Sequence, residues 1–437
     1  MKPSVEEETI IEIGNLGVNG EGVGRISGFT YFVEGALPGE KVRVRITEVR
    51  TTYARALPIE FLTLSPHRTA PPCPLFGKCG GCQIMHLTYP EQLKAKQQRV
   101  KDALERIGKI NISVEPCLPS PQPLAYRNKI QLPVDQNLRL GLYARNTHAI
   151  IPIEQCFIHS PLGEEVFSII HTLLKKHASF GKNLKHVLIK TALYTQEALV
   201  VLITHNTVPL LDFAKAIVEK APCIKGIVQY LTPTGTNTIL GKEVGVLSGR
   251  GWIEEQLCKL RFRISPASFF QVNPGQAEVL YQTALNEACL TGNEKVVDAY
   301  CGVGTLSLFF AGQAKEVIGI ESVTEATRDA QENAKRNHIK NAKFIHGKAE
   351  ETIASLGNFD VALLNPPRKG CDSALLDSLV KNKASRIIYI SCDPATLARD
   401  LKFLVEKGYR LEKVQPVDMF PQTMHVESIA TLKTAEN

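Results

Sequence analysis

The C-terminal part of the chain carries the pattern that most constrains its fold. After Pro266, short apolar runs alternate with helical stretches; the runs are KVVDAYCGVGTLSLFFA, EVIGIES, AKFIHG, FDVALLN and RIIYISC. Apolar runs without polar alternation are typical of parallel strands buried on both faces, and the helices between them form the crossovers. The sequence therefore predicts a doubly wound, Rossmann-like α/β domain over residues 266–437.

The N-terminal segment has a different period. Residues 1–62 form short runs broken by glycines, and in KVRVRI (41–46) apolar and basic residues alternate. A period of two is typical of strands with one buried face. Several such strands with glycine-rich turns predict a small OB-like β-barrel that binds RNA, with arginines on its polar face. The proline-rich stretch LSPHRTAPPCP marks its end.

The middle of the chain, residues 63–265, mixes helix and strand patterns. The segment EQLKAKQQRVKDALERIG predicts a helix from Glu91 to Gly108 with one apolar stripe formed by Leu93, Val100, Leu104 and Ile107. Strand-like runs HVLIKTAL, EALVVLIT and GIVQYL follow, separated by helical stretches. This pattern predicts a central α+β domain.

Composition limits the class of protein. No run approaches the roughly 18 apolar residues of a membrane span, and the start, MKPSVEEETI, lacks the basic and apolar regions of an export signal. We therefore expect a soluble, cytoplasmic protein with no membrane association. The net charge of +7 is moderate. Basic residues nevertheless cluster, which favours a polyanionic partner; they are Lys41, Arg43, Arg45, Arg50 and Arg55, then Lys94, Lys96, Arg99, Lys101 and Arg106.

A strand-to-loop-to-helix segment predicts a cofactor site. Gly302 and Gly304 follow the first strand of the α/β domain, and Glu321 ends the next strand, where a carboxylate can bind both ribose hydroxyls. The loop lacks the third glycine of the dinucleotide fingerprint. This favours S-adenosylmethionine over NAD as the cofactor.

Two methyl acceptors are compatible with the next motif. The strand VALLN ends in Asn365-Pro366-Pro367 at the same sheet edge. A double proline can simply end a strand, but Asn-Pro-Pro also resembles the element by which amino-methyltransferases hold a target NH2 group. Methylation of an amino group and methylation of a carbon therefore both remain open at this point.

The segment SCDPATLARD places Cys392 directly after a buried strand. A free cysteine in this position is often only a packing residue. Methylation of uracil C5, however, requires a nucleophile that adds at C6 and a base that later removes the C5 proton. Cys392 can supply the nucleophile, and the loop MFPQTMHVES offers Glu427 or His425 as the base.

A second group of cysteines predicts a metal site. Cys73, Cys79 and Cys82 have the spacing C-x5-C-x2-C, and Cys156 can be a fourth ligand. Three thiols within ten residues, set among prolines and glycines, are more typical of metal binding than of core packing. Zinc and iron–sulfur clusters both accept four thiolates, so spacing alone does not separate them.

These motifs together resemble the RNA (uracil-5)-methyltransferases, and especially the 23S ribosomal RNA branch that contains an iron–sulfur cluster. The resemblance spans nearly the whole chain, and it implies a TRAM domain in the barrel and a [4Fe-4S] cluster on the four cysteines. It also implies Cys392 as nucleophile and Glu427 as base. Residues matching the family's cofactor-binding positions are Gln271, Tyr300, Thr305 and Glu321, and Asn365 stands where the family has aspartate.

The resemblance predicts a substrate as well. A TRAM-like barrel together with the cysteine cluster favours 23S ribosomal RNA over tRNA, and we expect no obligate protein partner. Three alternatives remain: a tRNA uracil-5 methyltransferase, an amino-methyltransferase using Asn365-Pro366-Pro367, and a non-catalytic RNA-binding factor.

Overall fold

The computed structural model describes residues 2–176, 183–232 and 239–434. It begins with a closed barrel in the order β1-β2-β3-β5-β4. The barrel strands are β1 (Glu8–Leu16), β2 (Gly22–Ile26), β3 (Phe29–Val33), β4 (Lys41–Val49) and β5 (Tyr53–Thr63). The predicted barrel and the alternation along β4 are confirmed, since Val42, Val44 and Ile46 are fully buried.

The basic side chains of β4 lie on the outer face of the barrel and pair with glutamates. The nitrogen–oxygen distances are 3.4 Å for Lys41–Glu12, 3.3 Å for Arg43–Glu60 and 3.8 Å for Arg45–Glu6. The outer face therefore carries arginines, as the alternation predicted, and each of these basic side chains has a glutamate beside it.

The central region contains a five-stranded sheet in the order β12-β11-β10-β9-β6 and two hairpins, β7-β8 and β13-β14. One face of the sheet packs against α2 and α3, and the other packs against the β13-β14 hairpin, which in turn contacts α4 (Pro274–Ala288). The elements are α1 (Tyr89–Ala103), β6 (Lys129–Pro133), β7 (Gly141–Tyr143), β8 (Ile150–Pro152), α2 (Pro161–Leu174), β9 (Leu184–Ala192), β10 (Glu197–Thr204), α3 (Leu211–Lys220), β11 (Ile224–Leu231), β12 (Glu243–Gly249), β13 (Ile253–Leu257) and β14 (Leu260–Ile264).

The C-terminal region is a seven-stranded sheet in the order β17-β16-β15-β18-β19-β21-β20, parallel except for β21. Its strand order reverses between β15 and β18, and the predicted doubly wound fold is confirmed. The elements are α4 (Pro274–Ala288), β15 (Lys295–Asp298), α5 (Thr305–Ala311), β16 (Glu316–Glu321), α6 (Thr324–Arg336), β17 (Ala342–His346), α7 (Ala349–Thr352), β18 (Val361–Leu364), α8 (Ser373–Asn382), β19 (Arg386–Ser391), α9 (Pro394–Glu406), β20 (Tyr409–Val417) and β21 (Glu427–Thr434). The divisions at residues 62 and 265 stay predictions.

The predicted stripe of α1 is confirmed at Val100 and Leu104, which are buried, and at Leu93, which packs against the same core, but not at Ile107. Gln92, Lys96 and Val100 are its buried residues, while Ile107 is 45% exposed. The helix continues as a π-helical turn over Leu104–Gly108, which rotates Ile107 away from the stripe. Two polar residues, Gln92 and Lys96, therefore extend the buried face beyond the predicted apolar stripe.

The single tryptophan lies between the β13-β14 hairpin and α6. The Trp252 ring centroid is 3.9 Å from the Arg250 guanidinium carbon and about 5 Å from those of Arg263 and Arg336. Arg336 also donates to the Glu254 carboxylate at 2.6 Å. This stack joins the central region to the C-terminal sheet. Among the described residues, no helix is long and apolar enough to cross a membrane.

Candidate active site

The predicted site residues lie at one edge of the seven-stranded sheet, where β15, β18 and β19 end. The strand order reverses between β15 and β18. Leu363 of β18 pairs with Asp298 of β15 on one side and with Ile388 of β19 on the other. Tyr300 and Asn365 each follow this paired level by two residues, so both lie just beyond the same edge of the sheet. Open α/β sheets bind ligands outside the carboxyl ends of their strands at such a reversal.

The glycine loop at the end of β15 has the geometry that its sequence indicates. Gly302 and Gly304 have φ angles of +54° and +84°, and a Cβ on Gly304 would lie 3.0 Å from the Phe344 ring. The Glu321 carboxylate accepts hydrogen bonds from the Gly302 and Val323 N–H groups at 3.0 and 2.8 Å. The Ser322 hydroxyl also donates to Oε1 at 3.3 Å, so the remaining acceptor capacity is on Oε2, which a ribose hydroxyl can use.

A buried tyrosine joins two of the predicted cofactor residues. The Tyr281 hydroxyl lies 3.0 Å from the Thr305 hydroxyl and also hydrogen-bonds the Gln271 side chain. Gln271 and Thr305 are therefore linked although 34 positions separate them in the sequence. The sequence reasoning did not single out Tyr281, because its position in a helix is compatible with ordinary packing.

Asp298 is a second residue that the sequence reasoning missed. Its carboxylate is 1% exposed and accepts hydrogen bonds from the Ser307 hydroxyl at 2.6 Å and the Tyr300 N–H at 3.3 Å. Burial raises the pKa of Asp298 to about 6. The available signal was a carboxylate that ends a buried strand immediately before the Gly-x-Gly loop.

Cys392 and Glu427 lie opposite each other on antiparallel strands. Ser391 at the end of β19 pairs with Ser428 of β21, so the next residues in register are Cys392 and Glu427. Residues directly opposite in such a pair have Cβ atoms about 4.5–5.5 Å apart. The thiol and the carboxylate are therefore neighbours at the edge that also carries Asn365.

The electrostatics of this pair depend on burial and on one arginine. Burial, followed by the nearby Glu427 charge, raises the pKa of Cys392 to about 11. Burial raises the pKa of Glu427 to about 7, and this carboxylate is 5% exposed. The Arg368 charge opposes both shifts. The carboxyl group therefore titrates near neutral pH beside a thiol that is almost fully protonated in the free protein.

Arg368 is a residue for which the sequence predicted no role. Its exposed side chain follows Asn365-Pro366-Pro367 and has no hydrogen bond or ion pair within the described part of the chain. Burial, followed by the Arg368 charge, lowers the pKa of His425 to about 4, which makes His425 a weak base at neutral pH. The Asn365 amide also lacks a partner among the described residues, so both side chains are free to contact a substrate.

The four predicted metal ligands converge on one patch. Cys73, Cys82 and Cys156 pack against an apolar cluster of Met85, Tyr126 and Ile158. Burial raises the pKa of the Cys82 thiol, and the proximity of the other three thiols raises it further. Within residues 2–176, 183–232 and 239–434, however, no group of three or more His, Cys, Asp or Glu side chains is arranged to hold a metal ion. The donor chemistry suits a cluster, but the thiols are not closed around a common centre.

Comparison with known proteins supplies the family. The model of the tRNA (uracil-5-)-methyltransferase family matches residues 88–435, about four fifths of the chain. The chain belongs to this family. A TRAM domain model matches residues 5–59, which contain most of the barrel. The uracil-5-methyltransferase family resemblance and the TRAM domain predicted from sequence are thus confirmed.

Relatives match over the whole length. An uncharacterised RNA methyltransferase of Caldanaerobacter subterraneus subsp. tengcongensis is 44% identical, with 99% of each chain covered. One from Bacillus cereus is 41% identical over 100% of this chain and 99% of the relative. The crystal structure of Pyrococcus abyssi tRNA (uracil-54, C5)-methyltransferase with S-adenosyl-L-homocysteine has a TM-score of 0.79 at 26% identity, covering 97% of this chain and 100% of that one. This uracil-5-methyltransferase is therefore an S-adenosylmethionine-dependent enzyme that acts on RNA.

Proposed function

We propose that this uracil-5-methyltransferase modifies C5 of a specific uridine in 23S ribosomal RNA through a covalent adduct with Cys392. The Cys392 thiolate adds to C6, which makes C5 nucleophilic, and C5 then takes the methyl group from the sulfonium of S-adenosylmethionine. Removal of the C5 proton allows the thiolate to leave by elimination. The observation that supports this mechanism most directly is the placement of Cys392 opposite Glu427 at the cofactor edge.

The neighbouring groups have roles that follow from their charges. Glu427 removes the C5 proton, and its pKa of about 7 suits a base that works near neutral pH. Arg368 favours the charged forms of both Cys392 and Glu427. The Asn365 amide hydrogen-bonds the uracil edge or the cofactor. The residues that hold S-adenosylmethionine are Gln271, Tyr300, Gly302, Gly304, Thr305 and Glu321.

A second candidate substrate is tRNA. The solved Pyrococcus abyssi relative is described as a tRNA (uracil-54, C5)-methyltransferase, and it matches nearly the whole chain. The barrel together with the four cysteines supports ribosomal RNA instead. In either substrate the target base must leave its stack to reach Cys392, at a cost of a few kcal/mol.

The experiment is mass spectrometry of 23S RNA and tRNA after incubation with S-adenosylmethionine. The native protein is compared with Cys392→Ala and with Cys223→Ala, whose cysteine lies outside the site. We expect 5-methyluridine in 23S RNA with the native protein and the control only. Methylation by Cys392→Ala, or methylation of an amino group, would reject the covalent mechanism, and methylation of tRNA alone would select the second substrate.

We propose further that Cys73, Cys79, Cys82 and Cys156 bind a [4Fe-4S] cluster. Their convergence and the absence of disulfides support this assignment. Such a cluster would crosslink the cysteine segment, residues 73–87, to Cys156. Its role would be structural, since methyl transfer moves no net electrons. Iron and sulfide analysis of anaerobically purified protein tests it: both should be present in the native protein, lost in Cys79→Ser and retained in Cys223→Ser. Detection of zinc without sulfide would contradict the cluster and indicate a zinc site instead.

A further inference from the structure

The loop that leads to the catalytic base is held by residues far away in the sequence. This base loop, residues 418–426, joins β20 to β21 and ends immediately before Glu427. The Gln422 carbonyl accepts hydrogen bonds from the N–H groups of Gln83 at 3.0 Å and Ile84 at 3.1 Å. The Tyr126 hydroxyl donates to the Pro421 carbonyl at 3.1 Å. The loop is therefore tied to the segment that follows Cys82.

Helix α1 holds the same loop from a second side. The side-chain amide of Gln92 donates to the Gln422 side-chain oxygen at 3.0 Å and accepts from the Gln422 N–H at 3.1 Å. Lys96 donates to the Phe420 carbonyl at 3.0 Å and pairs with Asp418, and Arg99 donates to the Met424 carbonyl. These contacts explain the polar buried face of α1.

Gln422 itself has a backbone conformation that requires support. Its φ angle is +71°, in the left-handed region that side chains other than glycine rarely occupy. Such a conformation persists only where the surroundings determine it. Here the Gln422 N–H and side-chain oxygen bond to Gln92 of α1, its carbonyl bonds to Gln83 and Ile84, and its side-chain amide donates to the Pro123 carbonyl at 3.1 Å. These partners determine the course of the chain into Glu427.

The cysteines are coupled to these contacts. Gln83 and Ile84 follow Cys82 directly, and Tyr126 belongs to the apolar cluster against which Cys73, Cys82 and Cys156 pack. A change in how these cysteines pack is therefore passed to the base loop by two routes. One is the backbone from Cys82 to Gln83, and the other is the Tyr126 side chain.

We propose that the segment Cys82–Ile84 and helix α1 form a template for the base loop, with Gln92 and Gln422 as positioning residues for Glu427. This rests on the proposed function of Glu427. Loss of a template contact misplaces Glu427. Removal of the C5 proton then slows, while addition of Cys392 and methyl transfer continue. The cysteine segment thus acts on one step of the reaction.

The test measures the covalent protein–RNA adduct and its methyl content by mass spectrometry. Gln422→Ala and Gln92→Ala are expected to accumulate methylated adduct and to release product up to about 10²-fold more slowly, the loss that a misplacement of about 1 Å causes. Gln422→Glu keeps an acceptor for the Gln92 amide but loses the donor to the Pro123 carbonyl and buries a carboxylate there, so it should also accumulate methylated adduct. If the variants accumulate no adduct, or accumulate adduct without the methyl group, the proposal is wrong.

A second measurement avoids activity altogether. Hydrogen exchange of peptides covering residues 418–426 is compared among the native protein, Gln92→Ala, Cys79→Ser and the control Cys223→Ser. Exchange in this loop should be faster in Gln92→Ala and Cys79→Ser than in the native protein, and unchanged in Cys223→Ser. Equal exchange in all four proteins would contradict the proposal. Methylation surviving in Cys392→Ala would instead reject the proposed function, so the two failures are distinguishable.

Discussion

At the scale of single residues, the reactivity of Cys392 depends on two charges of opposite sign. Glu427 disfavours the thiolate and Arg368 favours it, while burial disfavours it most. The chemistry of C5 methylation required a nucleophile and a base, which left Glu427 and His425 open as the base, and the family resemblance then selected Cys392 and Glu427. The sequence assigned no role to Arg368, Asp298 or Tyr281, because their importance follows from cross-strand register and burial, which no local pattern encodes.

Alkylation of Cys392 tests these charges. With iodoacetamide in slight excess, followed by peptide mass spectrometry, we expect several-fold faster modification of Cys392 in Glu427→Gln than in the native protein at pH 8.5 (about the reference pKa of a thiol). Arg368→Gln should be several-fold slower, because it removes the charge that favours the thiolate. Modification of the exposed Cys289 provides the internal control. Unchanged rates in both variants would contradict the electrostatic assignment.

The pKa of Glu427 predicts a pH dependence for the last step. Because burial raises this pKa to about 7, the carboxyl group is protonated and inactive as a base below that pH. Release of product from the adduct should therefore slow as the pH falls through about 7. Glu427→Gln should accumulate methylated adduct at every pH, with a loss of about 10²–10⁴-fold in release. A native release rate that does not vary between pH 6 and 8 (about one unit on each side of neutrality) would reject Glu427 as the base.

At the scale of elements, α1 shows where periodicity misleads. The helix itself was predictable from its pattern and its glycine stop. The burial of Gln92 and Lys96 beside its apolar stripe was not, because both look like solvent-facing residues until their partners on the base loop are known. The strands of the α/β domain were easier to predict, because parallel strands buried on both faces need only apolar residues.

The buried Lys96–Asp418 pair gives a stability prediction for this helix. Both side chains are 0% exposed, so Lys96→Met leaves an uncompensated carboxylate inside the protein. We expect a loss of about 3–5 kcal/mol in the free energy of unfolding, measured by urea denaturation. The double variant Lys96→Met/Asp418→Leu should recover most of it. Lys94→Met, whose side chain is 71% exposed, should change stability by less than about 1 kcal/mol.

At the scale of the whole molecule, three parts of the chain meet at the base loop. Leu37 of the barrel, Ile84 and Leu87 of the cysteine segment and Met424 of the loop form one apolar cluster. The sequence predicted the barrel, the central region and the α/β domain separately, each from its own period. Their convergence depends on contacts between residues hundreds of positions apart, which periodicity does not report.

Leu37→Ala tests this convergence. Leu37 is fully buried, and its truncation should lower the free energy of unfolding by about 2–5 kcal/mol. It should also increase hydrogen exchange at Met424, on the other side of the cluster. Leu57→Ala, on the exposed outer face of the barrel, should have little effect on either quantity. Destabilisation confined to barrel peptides would show that the barrel docks independently of the base loop.

The position of Trp252 gives the protein a built-in optical reporter. As the only tryptophan, it accounts for all indole emission, and its ring lies among arginines from the β13-β14 hairpin and α6. Separation of the hairpin from α6 would bring water onto the indole and shift its emission to longer wavelength. A red shift at a denaturant concentration that leaves the circular dichroism unchanged would therefore record the parting of two folded regions before either one melts.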